Sequence, residues 1–200
     1  MTLKASWSRF VGPEATRANN WITLGTSVVG AAGAAALSRR RGAGRPAAGI
    51  TALLALDLVG GAYVNNTRTC ARWYERPTQG HVDHLWFSVF HVHPYAVAWL
   101  DHGIGGRPDC ITWATSHYGY LLASTATIRA WWPARRILGP ALTIGGLALD
   151  RYLGRSRNAP WFAAAYYPKL LLGHASAALW SDGSLRSHQA SDGIGPLSVR

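Results

Sequence analysis

The 200 residues carry a formal net charge of +11, yet only 14% are charged while 48% are hydrophobic and Trp occurs 10 times. Soluble domains use roughly 25% charged residues, so a continuous water-facing surface is hard to build from this composition. Nucleic-acid binding, the usual suggestion for a basic chain, is disfavoured by placement. Arg39, Arg40, Arg41 and Arg45, then Arg68, Arg72 and Arg76, then Arg129, Arg135 and Arg136, then Arg151, Arg155 and Arg157 all separate apolar stretches and share no one stripe.

A helix needs roughly 17 to 25 apolar residues to cross hydrocarbon, and six stretches reach or approach that length. They predict an all-α, polytopic transmembrane helix bundle of about six spans, forming one domain over residues 1–200. The first run, 21–37, follows a polar segment with Glu14, Asn19 and Asn20 that is long for a signal peptide, so a retained helix is expected. Its Ser27, Ala31 and Ala35 recur at four-residue spacing and allow a neighbouring helix to approach. The second run, 47–64, carries Asp57 near its centre. After it come Asn65, Arg68, Arg72 and Trp73, and then His84, a set suited to a lipid headgroup or another anion because Arg pairs bidentately with phosphate.

The third run, 82–100, contains His91-Val92-His93-Pro94. Pro94 removes one backbone hydrogen bond and pushes His93 away from helical angles, so a kink is expected there. In a regular helix His91 and His93 point about 200° apart; a break turns both toward one cavity. His84, His91 and His102 fall on one stripe of a straight helix, but about 10 Å or more apart along the axis, too far to share a metal. The fourth run, 110–128, holds His117; the fifth, 137–153, is short and Gly-rich; the sixth, 161–180, holds Lys169 and His174.

Trp and Tyr gather at the run ends, among them Trp21, Trp73, Tyr74, Trp131, Trp132, Tyr152, Trp161 and Trp180, as in interfacial belts. Cys70 and Cys110 fall on opposite sides of such a bundle, which excludes a disulfide between them. The Arg and Lys balance between loops leans slightly toward a cell-membrane protein with cytoplasmic termini.

Depth within each run is the informative property, because an ionisable group at the bilayer centre is costly and is kept for a role. Asp57, His91, His93, His117, Lys169 and His174 all lie near the middle of their runs. Lipid offers no hydrogen-bond partners, so these six predict a common midplane site, with Tyr118, Tyr120, Tyr166 and Tyr167 as neighbours. The alternative for Asp57 and Lys169 is a structural ion pair, and for each histidine a packing role.

The leading expectation is an enzyme embedded in the lipid bilayer and acting on a lipophilic small molecule. If it uses a metal, His91, His93, His117 and His174 are the ligands, Asp57 assists, and iron or haem suits the nitrogen and oxygen set. A metal-free version makes Asp57 a general acid in isoprenoid isomerisation or cyclisation. The other class is a proton-coupled transporter, which at this length calls for a homo-oligomer. An intramembrane serine protease is disfavoured, because Ser116 sits in Ala114-Thr115-Ser116-His117 and lacks flanking glycines.

Overall fold

The computed structural model describes residues 3–105 and 109–186, and they form helices and turns without a β-strand among them. The α-helices are α1 (Leu3–Val11), α2 (Arg17–Arg40), α3 (Arg45–Val64), α4 (Arg68–Tyr74), α5 (His81–Val89), α6 (His93–Gly103), α7 (Cys110–Ala130), α8 (Arg135–Leu153), α9 (Phe162–Tyr167) and α10 (Asp182–Arg186). A 3₁₀ turn at Trp132–Ala134 leads into α8, and a π-helical segment, Pro168–Ala175, continues α9.

Local chemistry sets the helix starts. Thr16 Oγ1 accepts from the Asn19 N–H at 3.1 Å to cap α2, and Thr67 Oγ1 accepts from the Cys70 N–H at 3.3 Å to cap α4. Gly42, at φ +92°, makes the turn between α2 and α3, a backbone shape that side chains with a Cβ resist. The two helices then pack along their length, and Ser27 of α2 lies against Gly60 of α3.

Two of the expected spans are long and apolar enough to cross a membrane, α2 and α3. A six-span bundle is not established by that measure, for different reasons at each remaining run. The third run is split: α5 ends at Val89 and α6 begins at His93, so the break falls at 90–92, just before the kink expected at Pro94. Pro94 fits the first turn of α6, where a missing N–H costs nothing. The break leaves carbonyls without helical partners, and two tyrosines satisfy them. Tyr118 donates to Val89 O and Tyr166 to His91 O, both at 2.8 Å. Helices α7 and α8 have the length of spans, but polar side chains lower their apolarity.

The sixth run is not an outer span but the axis of the fold. Phe162, Tyr166, Tyr167, Leu170, Leu171 and Ala175 are buried among α3, α7 and α8. Glycines let the neighbours close in: a Cβ on Gly61 would stand 2.5 Å from Lys169 Cδ, and one on Gly146 would stand 2.6 Å from the Tyr167 ring. Large apolar side chains meanwhile point outward, including Val29, Leu53, Phe90, Ile111 and Ile137, while His84, Asp101, His117 and Lys169 lie inside.

Candidate functional site

Three of the expected midplane residues meet directly. Lys169 Nζ, carried by the π-helical segment, is 2.5 Å from Asp57 Oδ2 on α3, and His93 Nε2, from the first turn of α6, is 3.2 Å from the same oxygen. The Lys169 side chain is 2% exposed and its stem lies along Gly61. Asp57 is different: its side chain is 39% exposed, so the carboxylate reaches the flank of the bundle, near Leu53 and Leu56 of the same helix. Oδ2 accepts from both of these donors.

The hydrogen bonds also fix what the imidazoles present. With Nε2–H given to Asp57, the lone pair of neutral His93 is on Nδ1, a buried atom with no hydrogen-bond partner among the described residues. His91 Nδ1 faces the Phe87 carbonyl at 2.6 Å and must donate to it, so its acceptor is Nε2. The His91 and His93 rings stand 5.2 Å apart, the convergence expected from a break in this helix. No known family, curated protein or solved structure matches the chain.

His174 joins this group through aromatic contacts. Its ring stacks on Phe87 (centroids 3.6 Å apart, planes 19° apart) and lies 4.4 Å from Tyr74 and 4.6 Å from His84. His117 does not join it. Its Nδ1 is 2.6 Å from the Tyr167 hydroxyl, its Nε2 is 3.7 Å from Asp150, and its ring packs on Trp113 and Phe162 in a second cluster between α7, α8 and α9. The four-histidine ligand set His91, His93, His117 and His174 is therefore not assembled as one. Among the described residues no group of three or more His, Cys, Asp or Glu is placed to hold a metal ion.

The expected headgroup set is dispersed as well. Asn65 turns inward and donates to Lys169 O at 3.2 Å, His84 is buried between the carbonyls of Tyr74 and His174, and Arg72 pairs with Glu14 at 2.9 Å. Arg68 is exposed, and Trp73 is covered by Arg76, whose guanidinium carbon is 3.9 Å from the ring centroid. Cys70 is a buried thiol outside any disulfide among the described residues, and burial pushes it up to about 12.

Two polar centres escaped the sequence reading. Arg129, which the sequence sets between two apolar runs, grips Glu75 bidentately at 2.8 and 3.3 Å and also donates to His81 and to Ala175 O. Burial raises the Glu75 carboxyl above the usual carboxylate range against the pull of Arg129. Asp101 accepts from Ser156 Oγ at 2.9 Å, Asn158 N–H at 2.7 Å and Arg157 N–H at 3.2 Å, tying α6 to the turn before α9. The sparse acidic residues were the available signal: with 9 Asp and Glu against 20 Lys and Arg, each carboxylate has a choice of cation and tends to be used.

Proposed function

We propose that the chain is a polytopic membrane protein of about six spans whose Asp57–His93–Lys169 site transfers protons to and from a lipophilic substrate. Two features support the membrane reading: many large apolar side chains are exposed, and several charged and imidazole groups are buried beside the apolar core. Helices α5 with α6, and α9 with the π-helical segment, count as interrupted spans in this reading. Irregular backbone is tolerated at membrane depth where it is buried in protein. Positive-inside bias gives the weak preference for cytoplasmic termini in a cell membrane.

The carrying observation is the Asp57–His93 contact at 3.2 Å beside an ion pair, in the centre of an apolar helix and open on one side. An aspartate that accepts Nε2–H orients the imidazole and leaves Nδ1 to act as general base. Lys169 holds the carboxylate in place and balances its charge. A lipophilic molecule entering from the flank beside Asp57 must first displace the side chains that cover His93 Nδ1, and then gives up to it a proton from a hydroxyl, or from a carbon next to a carbonyl. Return of that proton to another atom of the same molecule completes an isomerisation in which no atom is lost. Asp57 thus serves the base, in place of the general-acid role expected from sequence.

The test uses wild-type protein in lipid nanodiscs made from a total membrane lipid extract and incubated in D₂O. Mass spectrometry should find deuterium in a lipophilic component, and His93→Gln or Asp57→Asn should lower its incorporation by about 10²- to 10⁴-fold. Equal incorporation by wild type and His93→Gln would remove the enzyme reading. A proton-coupled carrier is the second reading, favoured by the helix break at 90–92 and the π-helical segment that both reach the Asp57 site. Proton uptake by reconstituted vesicles, lost in Asp57→Asn, would support it.

A further inference from the structure

Buried imidazoles continue beyond the Asp57 site. Where α4, α5 and α7 meet, Glu75 is held by Arg129 and stands 3.5 Å from His84 Nε2. A carboxylate, a cation and an imidazole thus occur together twice, once here and once as Asp57, Lys169 and His93. A cavity of about 460 Å³, lined in part by Glu75, His81, Arg129 and Trp132, opens onto this second group.

One row of rings connects the two. The His84 and His174 rings are 4.6 Å apart, His174 and Phe87 3.6 Å, Phe87 and His91 4.4 Å, and His91 and His93 5.2 Å. His174 is 2% exposed, and neither of its ring nitrogens has a hydrogen-bond partner among the described residues. Buried polar groups are nearly always paired, so an exception points to a role other than packing.

We propose that this row carries protons between the cavity at Glu75 and the Asp57–His93–Lys169 site, with Phe87 as its gate. The proposal rests on the reading that His93 exchanges protons. An imidazole takes a proton on one nitrogen and releases one from the other; in this conformation the ring nitrogens of His84 and His91 Nδ1 face backbone carbonyls and no two nitrogens of the row are hydrogen-bonded, so each transfer also requires the imidazoles to turn. A phenyl ring holds no proton, and transfer between His174 and His91 requires Phe87 to swing aside. The charged and titratable groups facing His174 are His84, His91, Arg129 and Lys169, with Tyr74 against its ring. Both fixed cations are committed to the end carboxylates, Arg129 to Glu75 and Lys169 to Asp57.

Ring-¹⁵N-labelled full-length protein in lipid nanodiscs, transferred to D₂O, reports exchange of the His93 Nε2–H by NMR without any substrate. His174→Leu and His84→Leu should each slow that exchange about tenfold or more, the scale of a lost proton-transfer group. Phe87→Ala removes the ring from the row without touching an imidazole and should speed it, while His117→Leu, in the separate cluster, leaves it unchanged. Unchanged exchange in both His84→Leu and His174→Leu, or no acceleration in Phe87→Ala, overturns the proposal and directs protons through the flank at Asp57. Circular dichroism identifies a variant that fails to fold, in which case Phe87→Ala carries the test. Exchange that depends on His174 while His93→Gln leaves deuterium incorporation into lipid intact would sink the enzyme reading and keep the row.

Discussion

Removing Asp57 and removing Lys169 should not cost the same, because their surroundings differ. In Asp57→Leu the ammonium of Lys169, with its side chain 2% exposed, loses the only acceptor it has among the described residues. A buried charge stripped of its partner costs about 3–5 kcal/mol. In Lys169→Met the new side chain follows the path of the lysine stem along Gly61, and the remaining carboxylate keeps His93 at 3.2 Å with a side chain 39% exposed. The hydrogen bond from His93 still satisfies that carboxylate, whereas Lys169 keeps no such partner in Asp57→Leu, so the expected cost falls to about 1.5–3 kcal/mol. The double variant Asp57→Leu/Lys169→Met leaves no charge behind and should return to within about 1 kcal/mol of wild type. Unfolding by SDS titration in mixed micelles, followed by circular dichroism, gives the three differences. Equal costs for the single variants, or a double variant that costs their sum, would refute the electrostatic dependence of one side chain on the other.

Three further outcomes follow from other parts of the fold. Gly60→Ala places a Cβ 1.8 Å from Ser27 Oγ and should destabilise the α2–α3 hairpin by about 1–3 kcal/mol; Ser27→Ala should partly restore it in the same micelle titration, and no rescue would mean another contact is limiting. Asp101→Ala strips acceptors from Ser156, Arg157 and Asn158 and should cost about 1–3 kcal/mol, with faster amide exchange at residues 156–159 as the local sign. Arg135 holds the exposed Asp182 carboxyl below the usual range. A lowered folded-state value makes that pairing fully effective above the ordinary carboxylate pKa and loses it as pH falls through the lowered one. A small change in Trp180 fluorescence is therefore expected below about pH 4 and absent in Asp182→Asn; a step near neutrality would contradict it.

Sequence made the helical class legible because long apolar runs with capping and turn residues leave few alternatives, and α2, α3, α7 and α8 contain the first, second, fourth and fifth runs. Asp57, His93 and Lys169, which the sequence places near the middle of their apolar runs, do meet. Depth alone says nothing about rotation around a helix axis, which is why His117 was grouped with His91 although it faces Tyr167. Nor could apolarity distinguish a lipid-facing span from a segment enclosed by other helices: residues 161–180 read as a span, and small side chains on them and glycines opposite turn them into the core. The Glu75–Arg129 pair was hidden because its members are far apart in sequence and sit at run ends, where charges ordinarily face water.

Nitroxide labels at Leu53 and Phe90, which are 68% and 74% exposed beside the Asp57–His93 level, measure directly whether that level lies in hydrocarbon. In reconstituted bilayers both labels should collide with oxygen far more often than with a water-soluble nickel chelate, and more so than a label at Arg68. Collision with the nickel chelate as frequent at Leu53 and Phe90 as at Arg68 would place the site in water and contradict the intramembrane reading.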